Sequence, residues 1–323
     1  MNNFKKIGVS ALAGSLVAIS AHAAEVSISG GASVAVGSGD DKAKSTYYQN
    51  DSITFSVTGE TDGGLSITTK LELDGDASGG QGGDFDSQSV AIGHDTLGTV
   101  TFAAHGGDSV MGGWDDKMPT AYEEVFDLTT NADKDVIGGV SGNNLWRYDS
   151  PELLPGLTFS AAYQATEQTG STSAYTDMGV SYSPEMLEGL TLAYAVGEVD
   201  ESTSETGDDV TGTDESTMWV TYATGPITVG YQQSEADGTT ATQDDDSTSF
   251  GISYAITDDF SVSYGEHEID LGSSTSDQES EGFSASYTMG GTSIKASFNE
   301  TENVAGVANT NRDSYEIALV FAF

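Results

Sequence analysis

The chain has 323 residues, with 10 Lys and Arg against 51 Asp and Glu, for a formal net charge of −41. That sign excludes nucleic-acid binding, which needs a basic footprint, and docking on anionic lipid through a polybasic patch. The absence of Cys removes disulfides, thiolate metal sites and thiol catalysis together. So acidic and polar a composition invites a disordered reading, but 14 Tyr, 12 Phe and 3 Trp against only 5 Pro argue for a folded chain rich in turns and polar strand faces.

The first 23 residues read as a secretory signal peptide. Lys5 and Lys6 form the positive start, Ile7–Ser20 is a weakly apolar run, and Ala21-His22-Ala23 is a small-x-small cleavage site. The run is too short and too rich in Gly and Ser to span a bilayer. Residues 24–323 are then expected to form one domain.

Along that domain there is no helix-period stripe and no apolar run long enough for a membrane helix. What recurs is the period-2 alternation of a strand with two different faces. Sixteen segments show it: Val26–Val36, Ile53–Thr58, Leu65–Leu73, Gln88–Ile92, Thr99–Ala104, Asn144–Tyr148, Leu157–Tyr163, Tyr175–Tyr182, Leu190–Gly197, Thr217–Tyr222, Ile227–Gln233, Ser249–Tyr254, Phe260–Gly265, Gly282–Tyr287, Thr292–Phe298 and Ser314–Phe323. Phe260, Val262 and Tyr264 oppose Ser261, Ser263 and Gly265; Ile294, Ala296 and Phe298 oppose Ser293, Lys295 and Ser297. A soluble sandwich would bury the apolar face. A membrane barrel turns it to lipid and keeps the polar face on a lumen.

The connections choose between the two. They alternate strictly between short turns and long loops, as in transmembrane barrels with short turns on one side and long loops on the other. Most of the acids fall in the long connections. Inside the strand segments Lys70, Glu72, Arg147, Asp177, Lys295 and Glu316 all take the polar face by parity, and no charge takes the apolar face. A charge on the lipid face at mid-bilayer costs roughly 2–4 kcal/mol. The expected fold is therefore all-β, a sixteen-stranded antiparallel transmembrane barrel. The turns Ser150–Phe159 (SPELLPGLTF) and Ser183–Leu192 (SPEMLEGLTL) echo each other, as a duplication would or as two hairpins meeting one requirement.

The chain ends with Tyr315, Ile317, Leu319, Phe321 and Phe323 at alternate positions. This ending resembles the assembly signal of outer-membrane proteins, read by the β-barrel assembly machinery. VAIGHDTLGTVTFAAHGGD (Val90–Asp108) and NNLWRYDSPELLPGLTFSAAY (Asn143–Tyr163) are similar to the stretches flanking the third long loop of the Gram-negative general diffusion porins, of the sixteen-stranded alphaproteobacterial type. The resemblance implies an outer-membrane homotrimer that passes small hydrophilic solutes without energy input, surrounded by lipid and lipopolysaccharide. It also implies that residues 105–143 fold into the lumen and narrow it. Where such porins often place an Arg near the end of the fifth strand, this chain has His105 and Gly106, and beyond the leader it has only Arg147 and Arg312.

A pore's selectivity is the field at its narrowest section. The third long loop carries Asp108, Asp115, Asp116, Glu123, Glu124, Asp127, Asp133 and Asp135 against Lys117 and Lys134, while the wall charges balance. Cation preference set by the loop is the expectation, with Asp108, Asp115, Asp116, Glu123, Glu124 and Asp127 as the constriction. The bland alternative is solvated loop charge. Asp74–Gly79 matches the first half of a calcium loop, but its twelfth position is Phe85, so no EF-type site is expected. Looser clusters such as Asp244-Asp245-Asp246 and Asp208-Asp209 would hold calcium only loosely, and no cofactor is expected otherwise. Neither a Gly-x-Ser-x-Gly elbow nor a zinc-protease helix is present, so no enzyme is expected. The competing classes are a solute-specific porin and a secreted, acidic, calcium-binding β protein or adhesin.

Overall fold

The structure, a computed structural model, describes residues 24–40, 43–74, 85–133, 136–139, 141–142, 144–165, 174–199, 202–203, 209–210 and 212–323. The expected signal peptide lies outside these residues, as do most of the segment that resembles a calcium loop, Lys134, Asp135 and Asp208. Sixteen strands build one wall: β1 Glu25–Ser38, β2 Thr46–Glu60, β3 Ser66–Asp74, β4 Ser87–His94, β5 Gly98–His105, β6 Leu145–Asp149, β7 Leu157–Gln164, β8 Tyr175–Tyr182, β9 Leu190–Val199, β10 Thr213–Thr224, β11 Ile227–Asp237, β12 Asp245–Thr257, β13 Phe260–Leu271, β14 Gln278–Met289, β15 Thr292–Glu302 and β16 Arg312–Ala322. Each pairs antiparallel with its chain neighbours, and β16 returns to β1, from Gly31 opposite Ala322 to Ser38 opposite Tyr315. The last residue finishes the seam. Phe323 N–H donates to Gly30 O and Gly30 N–H donates to Phe323 O, both at 3.0 Å. Closure matters because an unpaired backbone group in hydrocarbon costs several kcal/mol, on the order of an unsatisfied buried amide.

Burial is inverted, as the alternation predicts. Phe283 is 64% exposed and Ile28 58%, on the outside, while Gln232, Gln278, Ser297 and Thr301 are buried inside. No helix among the described residues is long and apolar enough to cross a membrane; the crossing is made by strands. The two echoing turns share one geometry. Gly156 and Gly189 take φ of +77° and +87°, a region that L side chains avoid. Gly156 O accepts Ser183 N–H at 2.8 Å and Gly189 O accepts Ala223 N–H at 2.9 Å, tying each turn to the next strand.

Several strands run past the bounds expected from alternation, some by a residue or more at the short turns and the longest extensions on the side of the long loops. The segment Phe260–Gly265 extends to Leu271 as β13, and Ile53–Thr58 begins at Thr46 as β2. The apolar signal stops where the lipid belt stops, but backbone pairing does not need it. One expectation is corrected as a result. Glu266, Glu268 and Asp270 lie on the outward face of β13, in parity with Phe260, Val262 and Tyr264. They stand beyond the Tyr264 ring, above the apolar belt, where a charge meets water and headgroups.

Candidate functional site

The segment joining β5 to β6 leaves the wall through a two-residue ladder, Gly107–Asp108 against Ser141–Gly142. It then lies along the inner wall, bonded to inward side chains in strand order. Asp177 Oδ2 on β8 accepts Met111 N–H at 2.7 Å. Gln232 on β11 holds residues 114–117. Ser263 Oγ on β13 accepts Ala121 N–H at 2.9 Å, and Ser284 Oγ on β14 accepts Tyr122 N–H at 3.2 Å. Asn299 Nδ2 on β15 donates to Glu124 O at 3.2 Å, and Tyr122 Oη donates to Glu316 on β16. Thr130 N–H reaches Gly39 O, just past β1, at 3.0 Å. A small apolar cluster, Val110, Met111, Ile137, Tyr175 and Ala195, seals the start of the loop against β8 and β9.

The backbone can approach this closely because the wall is stripped of side chains there. Gly230, Gly251, Gly265 and Gly282 are successive cross-strand partners over β11–β14, forming one inward row. A Cβ on Gly230 would lie 2.6 Å from Pro119 Cδ, one on Gly251 3.0 Å from Met118 Cβ, and one on Gly265 3.0 Å from Val125 Cγ1. Glycine inside a strand marks such an approach. Sequence reasoning counted these residues only as small members of the polar face.

Burial under the loop shifts its acids. Glu124 is pushed up to about 8, first by desolvation, then by its hydrogen bond to Asp127 and by the charges of Asp116 and Asp127. Asp115 is raised to about 6 by desolvation and by neighbouring Asp116, whose N–H donates to Asp115 Oδ1 at 3.0 Å. Desolvation also raises Asp133, helped by Asp245, and raises the Tyr122 hydroxyl, helped by Glu123. Glu123, Glu124 and Asp127 bring carboxylate oxygens within 4.8 Å of one another, the one such grouping among the described residues. A proton shared between Glu124 and Asp127 would relieve their repulsion. The other acidic cluster is engaged in loop geometry: Asp244 Oδ1 accepts Gly238 N–H at 3.2 Å and Asp245 Oδ1 accepts Gly272 N–H at 2.9 Å.

The expected constriction acids, Asp108, Asp115, Asp116, Glu123, Glu124 and Asp127, all lie on this seated loop, with Asp108 at its entry ladder. The expected wall charges divide. Asp177, Glu316 and Arg147 serve the loop. Arg147 Nη1 donates to Ser109 O at 3.0 Å, and its Nη2 pairs with Asp149 Oδ1 at 3.0 Å. Lys295 Nζ stands 5.1 Å over the Tyr122 ring. Lys70 and Glu72 sit on β3, eight strands from β11 and so across the lumen from the Gln232 segment. Glu72 there accepts a hydrogen bond from Ser87 Oγ at 3.1 Å. Ser249 Oγ lies 2.7 Å from His267 Nδ1; the two are cross-strand partners, and Phe126 packs on the imidazole.

A closed barrel that is apolar outside and polar within, with an acidic loop seated in its lumen, defines a transmembrane channel. The Gram-negative porin family model matches residues 8–306, and the chain belongs to that family. Its fold is similar to that of an outer membrane protein of Vibrio cholerae, OmpT, solved with one loop deleted, at 13% identity and TM-score 0.71, covering 93% of this chain and 99% of that one. It is also similar to a triple mutant of Rhodopseudomonas blastica porin, at 15% identity and TM-score 0.67, covering 93% and 100%. No curated protein sequence matches the chain. The protein is an outer-membrane porin, and its barrel is a channel.

Proposed function

We propose that this porin passes ions and small hydrophilic solutes by passive diffusion and prefers cations. The observation that carries the reading is the seated loop. It holds Asp115, Asp116, Glu123, Glu124 and Asp127 inside the lumen, while the wall cations Arg147 and Lys295 are turned to the loop's carbonyls and to Tyr122. Rings of carboxylates favour cations in a pore. Lys70 across the lumen is the remaining positive wall charge of the six expected positions. The working form is proposed to be a homotrimer in lipid and lipopolysaccharide. Export would use the cleaved leader 1–23, and assembly would be read from Tyr315, Ile317, Leu319, Phe321 and Phe323. No resident cofactor and no catalytic activity are proposed; calcium would associate only loosely, at the acidic outer loops. Reversal potentials in planar bilayers under a KCl gradient test the selectivity. A potential of cation sign is expected, and an anion-selective or unselective channel would overturn the reading.

A further inference from the structure

One wall side chain grips the part of the loop where its charges are densest. Gln232 faces inward from β11 and is 3% exposed. Its Oε1 accepts Lys117 N–H at 3.0 Å, while its Nε2 donates to Trp114 O at 2.7 Å and to Asp115 O at 3.1 Å. The amide thus offers a donor and an acceptor to one stretch of backbone, as a neighbouring strand would. Nε2 also meets Thr217 Oγ1 at 3.1 Å, and Thr217 Oγ1 in turn meets Ser234 Oγ at 2.9 Å, so the plane of the amide is set from the wall side. Either side of the grip the segment is wedged. The Trp114 ring stands edge-on to Trp219 with centroids 5.8 Å apart, and Pro119 fills the space over Gly230 and Gly251. Between the wedges lie Asp115, Asp116 and Lys117. Gln278 on β14 repeats the device at the far limb. It accepts Asp133 N–H at 3.0 Å, donates to Asp133 O at 2.6 Å, and accepts Ala305 N–H from the last outer loop at 3.0 Å.

We infer that Gln232 is a positioning residue for ion selectivity: its buried amide fixes the backbone of residues 114–117 and thereby the place of Asp115 and Asp116 in the lumen. The inference rests on the cation-preferring reading of the loop. Its energetic basis is that a buried amide stripped of its partners is costly, so the loop and Gln232 hold each other in place. Removing the amide frees the backbone and lets the two carboxylates drift apart and toward bulk water.

The test compares Gln232→Met, of similar length but without the amide, with Gln233→Leu, one residue along on the outward face. The pair Asp115→Asn with Asp116→Asn is made alone and combined with Gln232→Met. The K+/Cl− permeability ratio is read from reversal potentials, beside single-channel conductance and heat-modifiable migration. Gln232→Met is expected to lower the ratio about twofold or more, the smallest coupling usual within one hydrogen-bond network. Gln233→Leu is expected to leave it unchanged. In the Asn pair, Gln232→Met is expected to add nothing. If the Asn pair leaves the ratio unchanged, Asp115 and Asp116 do not set the selectivity and the positioning role is overturned; if the native channel is anion-selective or unselective, the cation reading itself fails. If the Asn pair lowers the ratio and Gln232→Met does not, or if the two effects add, the positioning role is overturned while the cation reading stands. Should Gln232→Met yield no folded barrel, Gln232→Asn keeps a polar amide one methylene out of reach and carries the same expectations.

Discussion

On the cation-preferring reading, Glu124 is expected to make the selectivity of the channel a function of pH, in a direction that follows from its burial. With its carboxyl at about 8 and Asp115 at about 6, Glu124 is about nine-tenths ionised at pH 9 and about one-tenth at pH 7. Asp115 makes the same passage between about pH 7 and pH 5. The charged groups acting on them are Asp116 and Asp127, with Glu123 beside Glu124. A cation as near to Glu124 as its neighbouring carboxylate oxygens, 4.8 Å, gains about 0.9 kcal/mol in water. At 0.1 M salt, screening over a Debye length of about 10 Å leaves roughly 0.5 kcal/mol, or about a twofold change in cation occupancy. Cation preference is therefore expected to be greatest above about pH 8, to fall about twofold through pH 8, and to fall again through pH 6. The linkage has the matching sign. A raised folded-state pKa favours the protonated carboxyl, so the seating of the loop weakens as pH rises from 4.5, the ordinary value, through about 8. Reversal potentials between pH 5 and 9 read the two steps. Glu124→Gln should remove the upper one and leave the lower. A single step near the ordinary carboxylate range in the native channel would refute the burial argument.

The same geometry makes three other predictions. Gly251→Val should push Met118 and Pro119 off the wall, because even its Cβ would stand 3.0 Å from both. Overpacking of that kind costs about 1–3 kcal/mol, and the displaced loop should lower single-channel conductance while the barrel still migrates as folded; an unchanged conductance would count against the seat. Glu281 lies directly between Glu266 on β13 and Glu300 on β15, so Glu281→Gln should stabilise the barrel by about 0.2–1 kcal/mol at low salt. That gain, read as the temperature at which the compact band is lost, should vanish near 1 M salt, where the Debye length is about 3 Å; a gain that persists would rule out repulsion as its cause. Deleting Phe323 removes both hydrogen bonds to Gly30 and the ring that covers that residue. The folded fraction recovered from membranes should fall, and an equal yield would show that the terminal residue is dispensable for closure.

The wall was legible in the sequence because two physical demands act on every residue of it. Lipid excludes charge from one face, and pairing imposes a period of two. Phe260, Val262 and Tyr264 obey both, so their strand was found. Glu266, Glu268 and Asp270 continue the same strand and obey only the second, so alternation of hydrophobicity lost them while the ladder went on to Leu271. The seat of the loop was hidden for another reason. Gly230, Gly251, Gly265 and Gly282 are far apart in the chain, and each is unexceptional in its own strand. Only the register makes them one row, and only the row explains how a loop dense in acids can be buried at all. Peptide groups and buried amides such as Gln232 hold its backbone, so its carboxylates need not serve as anchors. Asp177 and Glu316 show the converse. Parity placed them on the lumen face correctly, but their partners Met111 and Tyr122 arrive from a loop whose path no local pattern encodes. The acids that parity assigned to the wall therefore work as fastenings. In the cation-preferring reading the field of the pore comes from acids on a loop that the wall holds through amides and hydroxyls together with Asp177, Glu316 and Arg147.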